Sequence, residues 1–194
     1  SLMVQHKPRF HSIEENLAYD DGTKKQKELF NGELIEVPPE SGFNVEIANL
    51  LFAILFPLVG HRRVRGHGLE LEVRGEPRNR FPDLTVIRQE HIALLNRRNS
   101  FRLTMPPPLL VVEIVSPGEL QRNREYVAKR SQYEDLGIPD YWIIDPQAQT
   151  VSVFILQSGR YSEAQELNDR DRLTSAQMPT LDIAIADLFA AVED

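Results

Sequence analysis

Glu113 stands in the run Leu109-Leu110-Val111-Val112-Glu113-Ile114-Val115, in which every other residue is apolar. Such a run reads as a strand buried on both faces. An ionised carboxylate taken out of water costs several kcal/mol, so it needs a cation, a basic side chain or a set of hydrogen-bond donors beside it. A structural ion pair would meet that need, and so would a metal ion in an active site. Two further residues favour the metal. Asp83 follows Pro82 at the head of another apolar strand, and Lys129 falls on an inward face of the helix that comes after the Glu113 strand.

The helix expected over residues 119–136 puts Tyr126, Lys129, Tyr133 and Leu136 on one face, at offsets of 3, 4 and 3. Arg122 joins the same stripe. Leu120, Val127 and Ala128 form a second apolar arc, so the inward face has two candidates, and a lysine stem often lies along apolar surface with its head in water. A short crossover from strand to helix nevertheless returns Lys129 over Glu113. Taken alone, Pro82-Asp83 is turn chemistry. Combined with Glu113 and an inward lysine it becomes a site. Two carboxylates from separate strands that meet at one point repel each other unless a cation lies between them. Mg²⁺ (or Mn²⁺) suits such a place, being hard, oxygen-preferring and commonly held by one or two carboxylates with water and substrate phosphate. It would polarise a phosphorus centre and acidify a bound water, while the lysine orients that water or stabilises growing phosphate charge.

Several elements must position these residues. Residues 27–37 read as a hairpin around Asn31-Gly32, a pair suited to a turn needing positive φ twice. An apolar helix is expected over residues 44–59, ending near Pro57 and Gly60. Residues 62–65 and 69–74 read as paired strands around Gly66-His67-Gly68. A strand follows at 83–88, a short helix at 89–96 and a polar connection at 97–104. Met105-Pro106-Pro107-Pro108 forces an extended entry into the Glu113 strand. Ser116 can cap the helix that Gly137 ends. Residues 141–144 form another buried strand, 150–156 and 161–167 an antiparallel pair across Ser158-Gly159, and 183–192 a last helix. Strand, helix and strand between residues 109 and 144 make a parallel crossover. The order indicates an α/β domain, a mixed sheet flanked by helices, with a flexible segment over residues 1–11 and a single domain over 12–194.

The sequence of 194 residues is long enough for one sizeable core. It has no cysteine, which removes disulfides, thiolate nucleophiles and cysteine-bound zinc. No apolar run approaches a membrane span, and Ser1-Leu2-Met3 opens without the pattern of a secretory leader; the expected place is the cytoplasm. The formal charge of −7 means that any approach to phosphates depends on local basic groups or on metal. Candidate groups are Arg62, Arg63, Arg65 and His67, then Arg97, Arg98 and Arg102, then Arg122 and Arg124. Each taken singly reads as a solvated face. His61 and His67, flanking a turn, lack the further ligands that zinc would need.

Four strings together resemble the Uma-type family of bacterial endonucleases: Phe81-Pro82-Asp83-Leu84-Thr85-Val86, Val111-Val112-Glu113-Ile114-Val115-Ser116-Pro117, Lys129 with Tyr133, and Gly137-Ile138-Pro139-Asp140-Tyr141-Trp142-Ile143-Ile144-Asp145-Pro146. That family is placed among the PD-(D/E)XK nucleases. The resemblance covers most of the chain beyond about residue 12. It implies a restriction-endonuclease-like core with an N-terminal hairpin and a C-terminal hairpin plus helix. It further implies Asp83 and Glu113 as metal ligands, the backbone carbonyl of Ile114 as a third, cleavage of double-stranded DNA, and a homodimer. Two positions depart from the superfamily pattern. Val115 stands where a lysine is expected, and Lys129 would replace it from the helix. Glu46 is the nearest match to a first-helix glutamate, while many members carry a histidine where this chain has Asn44. Arg122 and Arg124 are the candidate DNA contacts. The acidic charge and Val115 favour an alternative, an interaction or regulatory module that keeps the fold without catalysis; hydrolysis of another phosphate ester is a third reading.

Overall fold

The structure, a computed structural model, describes residues 8–19, 26–37, 41–116 and 125–190. The chain opens with α1 (Ile13–Ala18), capped by the Ser12 hydroxyl, and the hairpin β1 (Lys27–Phe30) and β2 (Glu33–Glu36). Asn31 and Gly32 both have positive φ, 49° and 80°, as a tight two-residue hairpin turn demands. α2 (Gly42–Val59) begins at the Ser41 side-chain cap. Then come a short 3₁₀ turn, β3 (Val64–Arg65), β4 (Glu70–Glu72), β5 (Asn79–Arg80), β6 (Leu84–Val86), α3 (His91–Leu94), β7 (Ser100–Phe101) and β8 (Leu110–Ile114). The second half holds α4 (Glu125–Leu136), β9 (Asp140–Asp145), β10 (Thr150–Gln157), β11 (Arg160–Tyr161), β12 (Gln165–Leu167), β13 (Arg172–Ser175), β14 (Met178–Ala184) and α5 (Ile185–Ala190).

The central sheet runs in the order β11-β10-β9-β8-β6-β3, with β12 also paired to β10. β8 and β9 are parallel and the neighbouring pairs antiparallel, so the sheet is mixed, as expected. Alternation along the strands divides the core into two layers. Leu84, Val86, Leu110, Val112, Ile114, Trp142 and Ile144 pack on one face with α2 and α5. Val111, Val115, Tyr141 and Ile143 pack on the other with Tyr126 and Tyr133 of α4. Glu113, between Val112 and Ile114, therefore faces α4. A second sheet, β5-β4-β7, is joined to the first hairpin through Asn79, which accepts from the Leu29 N–H at 2.6 Å and donates to Glu70 at 2.7 Å. No helix of the described residues is long and apolar enough to cross a membrane.

Three expectations about elements are corrected. Residues 62–65 do not pair with 69–74: β3 joins β6 in the central sheet, whereas β4 pairs with β5 and β7. The glycines of Gly66-His67-Gly68 let the chain step from one sheet to the next instead of closing a hairpin. The polar connection over 97–104 contains β7. The last helix starts later than expected, because residues up to Ala184 form a hairpin with β13. Within the segment expected to be flexible, Phe10 is buried and donates its N–H to Gly32 O at 2.7 Å.

Candidate active site

The paired strands bring the acids together. Thr85 pairs with Val111 and Leu84 with Val112, so one further step of the register sets Asp83 opposite Glu113. Cross-strand partners point to the same face, and the Glu113 carboxylate faces α4. Asp83 Oδ2 accepts the Ile114 N–H at 2.7 Å, which fixes it at the edge where β6 begins. Asp83 and Glu113 are both buried.

Glu113 has a donor for each oxygen. Tyr133 Oη donates to Oε1 at 2.8 Å, and Lys129 Nζ lies 3.4 Å from Oε2. Tyr133 and Lys129 are four residues apart on α4, one turn of the helix, so one helical face supplies both. Burial first, and the Glu113 carboxylate second, hold the Tyr133 phenol well above the ordinary tyrosine range, and it serves as a hydrogen-bond donor. Lys129 Nζ also lies 4.8 Å from the centre of the Tyr126 ring. Of the other arc, Leu120 lies outside the described residues and Val127 is exposed.

Asn44 opens the site on its other side. It is buried near the start of α2, and its Nδ2 donates to Ile114 O at 3.3 Å. That carbonyl keeps a second lone pair for another partner. Glu46 lies two residues further on, about 200° around the helix from Asn44, and is exposed. The residue of α2 that reaches the candidate site is therefore Asn44 and not Glu46. Arg122 and Arg124 lie outside the described residues.

His67 is a neighbour that reading the turn as a hairpin concealed. The β3–β6 pairing ends with Arg65 opposite Thr85, and the turn that follows brings His67 beside Asp83. Its Nδ1 stands 3.7 Å from Asp83 Oδ1. Arg62, Arg63 and Arg65 lead up to it along the edge of the sheet. Arg63 donates to Ile87 O and Arg65 to Asn99 Oδ1. Burial, and then the Arg62 guanidinium, lower the Arg65 pKa. By contrast Arg98 is tied to Leu17 O, and Arg102 bridges Glu72 and Glu14.

The donors are of the kind a hard divalent cation takes: two carboxylates and a backbone carbonyl, with water or phosphate oxygens needed to complete a Mg²⁺ or Mn²⁺ shell. Among the described residues no three His, Cys, Asp or Glu side chains already form a cage for a metal, so such an ion would depend in part on the carbonyl and on solvent or substrate oxygens.

The Gly-Ile-Pro-Asp-Tyr-Trp-Ile-Ile-Asp-Pro string serves the fold. Asp140 accepts from Trp142 Nε1 at 3.0 Å and from Ser175 Oγ at 2.6 Å. Asp145 accepts the N–H groups of Gln147 and Ala148 and closes the turn into β10. Tyr141 meets the Tyr133 ring edge-on and stacks on Phe154, with ring centres 5.1 and 5.5 Å away.

No curated protein matches the chain. Among solved structures, one at 1.96 Å resolution, titled as a "putative nuclease belonging to DUF820" from Anabaena variabilis ATCC 29413, superposes with a TM-score of 0.68. The match covers 93% of this chain and 98% of that one at 21% identity, which establishes a common fold. Residues 13–186 match the family described as Uma2, "Putative restriction endonuclease", and so span both acids, the α4 face and the edge strand; the chain belongs to the Uma2 family.

Proposed function

We propose that this protein is a divalent-metal-dependent endonuclease that hydrolyses phosphodiester bonds of double-stranded DNA. The observation that carries the reading is the placement of Asp83 and Glu113 on one face of adjacent strands, with Lys129 Nζ 3.4 Å from Glu113. Asp83, Glu113 and the Ile114 carbonyl would hold a Mg²⁺ or Mn²⁺ ion. Such an ion supplies charge neutralisation at the phosphate and a more acidic water.

The remaining work falls to the chain itself. The Ile114 N–H and Tyr133 Oη hold the two carboxylates in place, so little reorganisation is needed as charge develops. The Lys129 ammonium carries three donors. It can hold Glu113 in the resting enzyme and turn to a phosphate oxygen when DNA arrives. Asn44 sets the direction of the Ile114 carbonyl. Arg62, Arg63 and Arg65 offer guanidiniums to the DNA backbone in a protein that is acidic overall, and guanidinium forks suit phosphate geometry. A dimer would let two such sites address the two strands.

The test is incubation of supercoiled and linear DNA with purified protein and Mg²⁺ or Mn²⁺, beside Glu113→Gln protein prepared in parallel. Cleavage by the wild type alone supports the reading. Equal cleavage by both preparations, or none by either, overturns it.

A further inference from the structure

We propose that Arg80 is a positioning residue of this site: its buried guanidinium fixes α4 against the segment that carries Asp83, and so sets Lys129 toward the phosphate. The proposal rests on the endonuclease reading above. Arg80 ends β5, three residues before Asp83. Its side chain is 1% exposed, and an arginine is almost never so buried unless it is paired. Nε donates to Gln132 Oε1 at 2.8 Å, and Nη1 stands 3.4 Å from Glu28 Oε2 on β1. The other end of the Gln132 amide grips the approach to β5: Nε2 donates to Pro77 O at 2.7 Å and to Arg74 O at 3.0 Å. Gln132 adjoins Tyr133 in α4 and follows Lys129 by three residues, so it shares the face that carries both.

A helix is ordinarily seated by an apolar stripe. α4 has little of one. Among its described side chains only Tyr126, Gln132 and Tyr133 are buried, and no aliphatic residue is among them. Polar bonds therefore decide where the helix rests on the sheet. Tyr133 bonds to Glu113, and Gln132 ties the same helix to the segment leading into Asp83. Apolar residues of similar volume often replace a buried ion pair without loss of stability, so the arginine is better explained by the single arrangement it enforces. Its planar fork holds two partners at a set angle, which a lysine cannot do. The consequence falls on Lys129, because a misplacement of about 1 Å in a reacting site can slow the chemistry on the order of 10²-fold.

The experiment is single-turnover cleavage of duplex DNA by the full-length protein at saturating enzyme with Mg²⁺, beside duplex binding with Ca²⁺. Arg80→Met and Gln132→Met remove the bond from its two ends. Arg80→Lys keeps the buried charge without the fork and guards against loss of folding in the others. Each is measured alone and combined with Lys129→Ala, well below its melting temperature. The expected result is a rate about 10–100-fold lower in all three, with duplex affinity unchanged. Once Lys129 is absent, the same substitutions should cost little more. A purely structural role would lower the melting temperature and leave the rate of the folded protein as it was. An unchanged rate in Arg80→Lys, or the same fold-loss with and without Lys129, overturns the Arg80 assignment and leaves the endonuclease reading standing. Absence of cleavage by the wild type overturns both.

Discussion

Replacing Glu113 by glutamine separates the electrostatic role of this residue from its role toward metal. Had the two acids simply repelled each other, losing one charge would raise stability without metal. The geometry argues for the opposite sign, because each carboxylate has its own donors. Glu113 is 3% exposed and accepts from Tyr133 at 2.8 Å, while the Lys129 side chain is 15% exposed and 3.4 Å away. Glutamine keeps an oxygen for Tyr133 but leaves Lys129 without this charge partner. Breaking a buried pair from one side costs about 3–5 kcal/mol. The partial exposure of Lys129 lets its head turn to water, which reduces the expected loss to roughly 1–3 kcal/mol.

For a chain of this length that corresponds to a melting-temperature drop of about 3–10 °C without metal. At a metal concentration 100 times Kd, binding adds about 2.7 kcal/mol to the wild type, or roughly 5–10 °C; the variant should gain little. Thermal melts of both proteins with EDTA, Mg²⁺ and Mn²⁺ read both quantities. A Lys129→Met protein and the double variant complete a cycle that isolates the Glu113–Lys129 coupling. A variant melting at or above the wild type in EDTA would refute the ion-pair argument, and an equal gain from metal would refute ligation by Glu113.

Asp83→Asn keeps an acceptor for the Ile114 N–H, so it should abolish metal-dependent cleavage with little loss of stability, whereas Asp83→Ala should melt lower because a buried donor left unpaired costs about 1–3 kcal/mol; melts and cleavage assays on both decide. Lys129→Ala should retain metal binding by calorimetry and slow single-turnover cleavage by about 10²–10³-fold. Duplex binding with Ca²⁺ in place of the catalytic metal should weaken with salt, and Arg62→Ala with Arg65→Ala should flatten the log–log slope by about one to two phosphate contacts; an unchanged slope removes these arginines from the DNA path. Burial raises the Asp140 pKa to about 6, against the lowering influence of its bonds to Ser175 and Trp142. The folded state then keeps a proton that the unfolded chain releases near pH 3.8. This contribution is full below that pH and fades as pH rises to about 6, by roughly 3 kcal/mol. Urea titrations from pH 4 to 7 should show a steeper decline for wild type than for Asp140→Asn.

The parts of the fold written in strong local patterns were legible in the chain. Asn31-Gly32 named its hairpin, the apolar run around Glu113 named the central strand, and Gly137 ended α4 with a positive φ of 80°. The edge of the sheet was not legible. β3 has two residues and β6 three, too few for alternation to declare a partner. Two glycines around His67 invite a hairpin, yet neighbouring strands here belong to different sheets, a choice made by tertiary packing rather than by the turn. The strand β14 was similarly read in part as helix because Ile183, Ala184 and Ile185 suit either period.

The same distinction explains what could be read of the site. A lone acid within an apolar run announces itself, because burial without compensation is too costly to be accidental. The α4 stripe then supplies Lys129 and Tyr133 by simple helical periodicity. His67 and Asn44 carry no such local sign. Each looks ordinary in its own segment, one in a glycine turn and one after a helix cap. Each comes beside the site through a non-local relation: the 3.7 Å approach of its Nδ1 to Asp83 for His67, and the packing of the start of α2 against the end of β8 for Asn44. Glu113 could therefore be inferred from the cost of burying it, and Asp83 only in combination with it, whereas the residues around them required knowing which elements are neighbours. Substituting Asn44 should accordingly alter site geometry at the Ile114 carbonyl more than overall stability, while changes to Tyr133 or Glu113, which belong to the core as well as to the site, should disturb both.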